Sequence, residues 1–194
     1  MLNIIICGAP GSGKGTQSKL IAEKYNLKHL STGDILRNEI KLQTEIGKKA
    51  EQFISKGQLV PDEIIITMLD HILDKEMNHH KGIILDGFPR TYAQAEALEK
   101  LLKNRNEEIT LLLDLKVNDE ELISRLLKRA EISNRSDDKL DVIRKRLEIY
   151  HQNADEVNNF YKKLNKYVAI EGIGTVEEIF SRISQVIDSK INSR

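Results

Sequence analysis

Short apolar runs alternate with longer segments of helical periodicity along most of the chain. The runs occupy residues 2–7, 28–30, 82–86, 109–114 and 166–170, and their length and polar boundaries are typical of buried strands. Three of the longer segments carry helix start signals: Pro61 followed by two acidic residues, Thr91 three residues before Gln94, and Thr175 three residues before Glu178. Because strands that alternate with helices form parallel sheets with helices on their faces, the pattern predicts an α/β sandwich.

The composition limits the size and the setting of this fold. A chain of 194 residues with 40% hydrophobic residues can bury one good core, so we expect a single domain over residues 1–194. The 30 basic and 30 acidic side chains cancel, which argues against nucleic acid or a membrane surface as a partner. Cys7 is the only cysteine and lies in the first apolar run, which suits a reducing compartment. With no secretory signal and no apolar stretch of about 20 residues, we expect a cytoplasmic protein.

The first apolar run leads into GAPGSGKGT at residues 8–16, the most specific motif of the sequence. Its glycines let the backbone turn tightly with the N–H groups facing inward, and a helix that begins near Lys14 directs its positive end to the same point. The motif therefore indicates a polyphosphate site. A dinucleotide fingerprint fits less well, because Thr16 stands where a third small residue is needed. The loop is also unusual, since Gly15 and not a hydroxyl residue follows the lysine.

Further motifs follow in order along the chain. They are STGD at 31–34 with Arg37 one turn later, GQLVPD at 57–62, LDGFPRT at 85–91 followed by Gln94, and NRSDD at 134–138 followed by Arg146 in IRKRL. Together with the loop variant, this set resembles the nucleoside monophosphate kinases of the adenylate kinase type over nearly the whole sequence. The resemblance implies a P-loop NTPase fold, a three-layer sandwich in which helices flank a five-stranded parallel sheet. It also implies a small NMP-binding lobe over about residues 31–60 and a short lid over about 128–138.

The resemblance further implies the reaction and the residues that serve it. The expected reaction is reversible transfer of a phosphoryl group from ATP to AMP, giving two ADP, with Mg²⁺ bound to ATP. The expected catalytic residues are Lys14, Arg90, Arg129, Arg135 and Arg146. The expected ATP-binding residues are Gly11, Ser12, Gly13, Lys14, Gly15, Thr16, Arg125, Arg129 and Gly174. The expected AMP-binding residues are Thr32, Arg37, Gln58, Leu59, Val60, Gly87, Phe88, Pro89, Arg90, Gln94, Arg135 and Arg146.

The residue chemistry agrees with phosphoryl transfer. Between residues 125 and 146 the chain has eight Lys or Arg against four Asp or Glu, and arginine forks bind phosphate oxygens bidentately without losing charge. No general base is needed, because the attacking phosphate has a second pKa near 6. Asp86, at the end of a predicted strand, is expected to hold the water shell of magnesium; its alternative role is that of an end-of-strand turn residue. Asp137 and Asp138 are open to two roles, contact with arginines or capping of the next helix.

Two residues bear on the choice of base. Relatives that phosphorylate UMP and CMP typically have alanine at the position of Thr32 and asparagine at that of Gln94, so this sequence favours AMP. Gln94 also completes a capping box with Thr91, in which its side chain would bond to backbone. A UMP/CMP kinase is the nearest alternative, and a nucleotide-switch protein is a more distant one, because a switch should carry a hydroxyl in place of Gly15.

Two departures from the family pattern remain. The short lid lacks the cysteines that bind zinc in longer relatives, so no structural zinc is expected. Gly174 stands where the family often has a lysine, and a backbone contact with the ATP base would tolerate this glycine. We expect a monomer whose partners are ATP, AMP and ADP.

Overall fold

A computed structural model describes residues 1–76, 79–132, 137 and 139–192, and within them five strands and eight helices. The strands are β1 (Ile4–Gly8), β2 (Lys28–Ser31), β3 (Ile83–Asp86), β4 (Leu111–Lys116) and β5 (Tyr167–Glu171). The helices are α1 (Lys14–Tyr25), α2 (Thr32–Lys41), α3 (Glu45–Ile54), α4 (Asp62–Glu76), α5 (Tyr92–Lys103), α6 (Asp119–Ile132), α7 (Leu140–Lys163) and α8 (Val176–Asn192).

The five strands form one parallel sheet in the order β2-β3-β1-β4-β5. All five predicted strands are confirmed. At the carboxyl edge, Asp86 of β3 pairs with Ser31 of β2 on one side and with Ile6 of β1 on the other. In open parallel sheets ligands bind at this edge, and the loops after β1, β2 and β3 all leave from it.

Helices cover both faces of the sheet, as the sandwich prediction requires. One apolar cluster joins Ile5 and Leu112 of the sheet to helices that include α4, α5 and α7. The other joins Ile4 and Ile6 to α1 and α8. Because successive residues of a strand point to opposite faces, a continuous apolar run is what a sheet buried on both sides needs.

The predicted lobe and the predicted lid are described to different extents. Residues 31–60, the predicted lobe, contain α2 and α3, which pack against each other. Residues 128–138, the predicted lid, include the last turn of α6 and Asp137, whereas residues 133–136 and 138 lie outside the described part of the chain. Among the described residues, no helix combines the length and apolar character that a membrane span requires.

Candidate active site

The phosphate loop joins the central strand β1 to α1. Gly11 and Gly13 have φ of 87° and 93°, in the left-handed region that side chains avoid. At Gly11 a Cβ atom would also lie 2.9 Å from the Leu126 side chain, whereas the space over Gly13 is open. Gly13 directly precedes α1, so the open side of the loop faces the positive end of a helix. This is the arrangement that binds phosphate oxygens.

Lys14 folds back over the loop that precedes it. Its Nζ donates hydrogen bonds to the carbonyl oxygens of Gly8 (2.8 Å) and Ala9 (3.0 Å). Burial lowers the pKa of the Lys14 ammonium to about 8, although the nearby Asp86 carboxylate acts in the opposite direction. The lysine is thus held at the floor of the loop, and an anion above it would favour its charged form.

Asp86 lies across from the unusual Gly15. A Cβ atom at position 15 would be 3.5 Å from Asp86 Oδ2, so the carboxylate occupies the side of the loop where the common motif places its hydroxyl. The side chain of His29 on β2 approaches the same oxygen, with Nε2 at 3.5 Å. His29 cannot be identified from the sequence, because nothing in the short run 28–30 marks the face to which its side chain points.

A cleft of about 600 Å³ opens above the loop. From the predicted ATP-binding set it is lined by Gly11, Gly13, Lys14, Gly15, Thr16, Arg125 and Arg129. Ser12 is fully buried, and Gly174 is exposed and not part of this lining. The cleft also contains Arg37, Arg90, Arg146 and Asp86. Five arginines from four parts of the chain therefore converge with Lys14 on one space.

Two smaller cavities adjoin the cleft. One of about 70 Å³ is lined by nine residues of the predicted AMP-binding set: Thr32, Arg37, Gln58, Leu59, Val60, Gly87, Arg90, Gln94 and Arg146. The other, of about 90 Å³, is lined by the remaining pair Phe88 and Pro89 with Gly87 and Lys14. Arg135, the other residue predicted for this substrate, lies outside the described part of the chain.

The arginines of the cleft contact protein acceptors. Arg37 pairs with Asp34, the Arg90 Nε donates to the Gly87 carbonyl at 2.6 Å, and both terminal nitrogens of Arg125 lie 3.2 Å from the Gly172 carbonyl.

Asp137 is predicted either to contact an arginine or to cap the next helix, and its contacts with Arg146 decide between the two roles. Arg146 Nη1 lies 2.8 Å from Asp137 Oδ2 and 3.1 Å from its carbonyl oxygen. The residue at the N-cap of α7 is Lys139, with no side-chain cap. Asp137 is therefore an arginine partner here, whereas Asp138 lies outside the described residues.

Gln94 forms one half of its predicted capping box, and its side chain has two protein partners. Its backbone N–H donates to Thr91 Oγ1 at 3.1 Å, as a capping box requires. Its side-chain Oε1, however, accepts from the Arg90 N–H at 2.7 Å, while Nε2 donates to Asp62 Oδ1 at 2.7 Å. The second half of the capping box is altered, because Oε1 accepts from the N–H of Arg90 and not from that of the N-cap residue Thr91. In the sequence Asp62 stands out as a helix start signal and as the end of the motif GQLVPD, neither of which indicates its contact with Gln94, 32 residues away.

Comparison with known proteins agrees with this geometry. A family model described as adenylate kinase matches residues 6–166. The chain belongs to the adenylate kinase family. It is 52% identical over 189 residues to the adenylate kinase of Parabacteroides distasonis, covering 97% of this chain and 99% of that protein. It is 47% identical over 190 residues to the adenylate kinase of Flavobacterium psychrophilum, covering 97% and 100% respectively.

Membership in the adenylate kinase family confirms the resemblance predicted from the motifs. The chain is a phosphotransferase with the P-loop α/β fold. The match supports adenylate kinase function and not the UMP/CMP kinase alternative.

Proposed function

We propose that this chain transfers a phosphoryl group reversibly between ATP and AMP with Mg²⁺, giving two ADP, and so balances the adenine nucleotides of the cytoplasm. The supporting observation is the convergence of Lys14, Arg37, Arg90, Arg129 and Arg146 on one cleft. Two polyanions that meet end to end need fixed cations more than any other group, because positioning and charge stabilisation supply most of the catalysis in phosphoryl transfer.

The cations divide into three groups, which bind the phosphates of ATP, the phosphate of AMP and the phosphoryl group in transfer. Lys14 and Arg129, beside the phosphate loop, bind the ATP phosphates. The backbone N–H groups of Gly11 to Thr16 bind them as well, and Arg125 lines the outer side of the cleft. Arg37 and Arg90, which line both the cleft and the smaller cavity, hold the AMP phosphate. Arg146 lines the same two spaces and binds the transferring group between them, with Arg135 as its predicted partner.

The residues of the cleft suit a Mg²⁺ ion that is bound mainly by the phosphates of ATP and by water. Among the described residues no cluster of three or more His, Cys, Asp or Glu could hold a metal alone, and Mg²⁺ in nucleotide sites takes most ligands from phosphates and water. Asp86, facing the side-chain-free Gly15, would hold that water shell. When bound, Mg²⁺ neutralises charge on the transferring phosphates.

Transfer requires no proton acceptor from the protein. The AMP phosphate is largely dianionic at neutral pH, because its second pKa is near 6, and its oxygen attacks in line once the arginines hold it. Water must be kept out so that it does not accept the phosphoryl group. We assign this role to the lid over about 128–138 and the acceptor side to the lobe over about 31–60, both within one domain that acts as a monomer.

A turnover assay tests the proposal. The purified chain is incubated with Mg²⁺, ATP and one monophosphate at a time, and diphosphate formation is followed. We expect rapid ADP formation with AMP, and loss of nearly all transfer in Lys14→Ala. Lys24→Ala is the matched control, since Lys24 lies on the same helix but pairs with Asp188 on the surface. CDP or UDP formation in preference to ADP, or unaltered turnover in Lys14→Ala, would refute the proposal.

A further inference from the structure

The amide of Gln94 is held from two opposite sides. The Arg90 backbone N–H reaches its Oε1 and the Asp62 carboxylate reaches its Nε2, both at 2.7 Å. The second oxygen of Asp62 accepts from Thr91 Oγ1 at 3.1 Å, so the carboxylate is itself fixed. Gln94 is 2% exposed and lines the cavity predicted for AMP.

These two partners permit one orientation of the amide. A backbone N–H can only donate and a carboxylate can only accept. If the amide of Gln94 turned over, its NH₂ group would meet the Arg90 N–H and its oxygen would meet the Asp62 carboxylate. Both hydrogen bonds would be lost in a buried place, where unmatched polar groups are costly.

We propose that Asp62 is a positioning residue for base selection, which fixes the Gln94 amide so that the site distinguishes adenine from a 6-oxopurine. This inference rests on the proposed function and on a contact of the Gln94 amide with the base of AMP, for which the amide supplies both a donor and an acceptor. The amide has a second hydrogen on Nε2 and a second lone pair on Oε1 beyond the contacts described above. A fixed amide presents this donor and this acceptor to the cavity in one order.

Adenine and the 6-oxopurine hypoxanthine have nearly the same shape, but they present their hydrogen-bond donor and acceptor in opposite orders. Adenine offers an acceptor at N1 and a donor at the 6-amino group, whereas hypoxanthine offers a donor at N1–H and an acceptor at O6. An amide that can turn over would match either edge, while a fixed one matches one edge and leaves the other unpaired. Discrimination of this kind is strong when buried polar groups lose their partners.

The test compares kcat/KM for AMP and for IMP, with Mg-ATP as donor. Asp62→Asn keeps the size of the side chain but can donate as well as accept, so it removes one of the two constraints on the amide and leaves the one from the Arg90 N–H. We expect the AMP-to-IMP ratio to fall about tenfold, with KM for ATP within about twofold of wild type because the ATP side is untouched. Asp62→Glu keeps the charge but displaces the carboxylate, and should lower the ratio as well.

Glu63→Gln is the matched control. Glu63 is exposed and lies in the first turn of the same helix, so this variant removes the same charge from the same helix end without altering the Gln94 contacts. We expect an unchanged AMP-to-IMP ratio. In a Gln94→Leu background, Asp62→Asn should change the ratio no further, because the group it orients has been removed.

The outcomes separate this inference from the proposed function. If Gln94→Leu lowers the ratio and the folded Asp62 variants do not, the inference is overturned and the role of Gln94 stands. If Gln94→Leu leaves the ratio unchanged, the base contact and the inference both fail. If wild type forms no ADP from AMP, the proposed function itself fails. Thermal melting of each variant identifies those that fold, and Asp62→Glu remains informative where Asp62→Asn does not fold.

Discussion

The catalytic efficiency with ATP, kcat/KM, should fall in mildly alkaline solution because Lys14 loses its proton there. Burial lowers the pKa of its ammonium to about 8 in the free protein, and the Asp86 carboxylate only partly opposes this. A neutral amine loses the charge-assisted hydrogen bonds that an ammonium makes to phosphate. Since deprotonation proceeds as the pH rises, kcat/KM for ATP should be highest below pH 8 and should fall above it.

The pKa sets the size of the effect. At pH 8 about half of the free protein carries charged Lys14, and at pH 9 about a tenth does. Because kcat/KM reports groups of the free enzyme, it should fall about twofold at pH 8 and about tenfold at pH 9. The turnover number should stay nearly level over this range, because bound phosphates favour the ammonium form.

Initial rates of ADP formation measure both quantities. ATP is varied at saturating Mg²⁺ between pH 6.5 and 10, with AMP held below its KM to obtain kcat/KM for the free enzyme and at saturation to obtain the turnover number. Cys7 does not interfere, because burial raises the pKa of its thiol to about 12. In Lys14→Arg the plateau should be lower and the decline near pH 8 absent, because a guanidinium stays charged. The reasoning is refuted if wild-type kcat/KM stays level to pH 10, or if the decline persists in Lys14→Arg.

Three further predictions concern the metal, the lid and the lobe. Asp86→Asn should raise the Mg²⁺ concentration for half-maximal rate at least about tenfold; an unchanged magnesium titration would exclude the assigned role. Asp137→Asn replaces the 2.8 Å ion pair with Arg146 by a hydrogen bond to a neutral amide and should cost about 1 kcal/mol in urea unfolding, whereas an unchanged midpoint would contradict a stabilising role of this pair. Gly47→Ala places a Cβ atom 2.1 Å from the Glu39 carbonyl oxygen and should lower Tm by about 5 °C; a melting curve that matches wild type would contradict this close approach of α2 and α3.

The sheet could be predicted from the sequence because its strands are buried on both faces. All five apolar runs become strands, and each end lies within two residues of the predicted one. The largest shift shows the physical limit of this approach. Ile109 and Thr110 are buried but precede β4, which begins at Leu111. Burial extends beyond the ends of the regular strand, and an apolar pattern reports only burial.

The polar contacts between distant elements could not be predicted in this way. Asp114 appeared only as the end of an apolar run, yet it is fully buried and accepts hydrogen bonds from Asn158 of α7 (2.9 Å) and Tyr167 of β5 (3.0 Å). Asp62 likewise appeared as a helix start and proves to bind Gln94. Periodicity identifies the face on which a residue lies, but the partner of a polar side chain depends on tertiary packing that a local pattern does not contain.

The cations of the cleft already have protein partners, which phosphates would either join or replace. Lys14 contacts two loop carbonyls, Arg90 contacts the Gly87 carbonyl, and Arg146 contacts Asp137. Substrate binding is then an exchange of hydrogen bonds, and only the difference between the two sets contributes to affinity. An exchange of this kind suits a reversible reaction, because a product that leaves returns each cation to an internal partner and not to an unsatisfied state. It also explains why five arginines can converge on one space in a protein of zero formal net charge: carbonyl oxygens and carboxylates of the same site stabilise them before any nucleotide arrives.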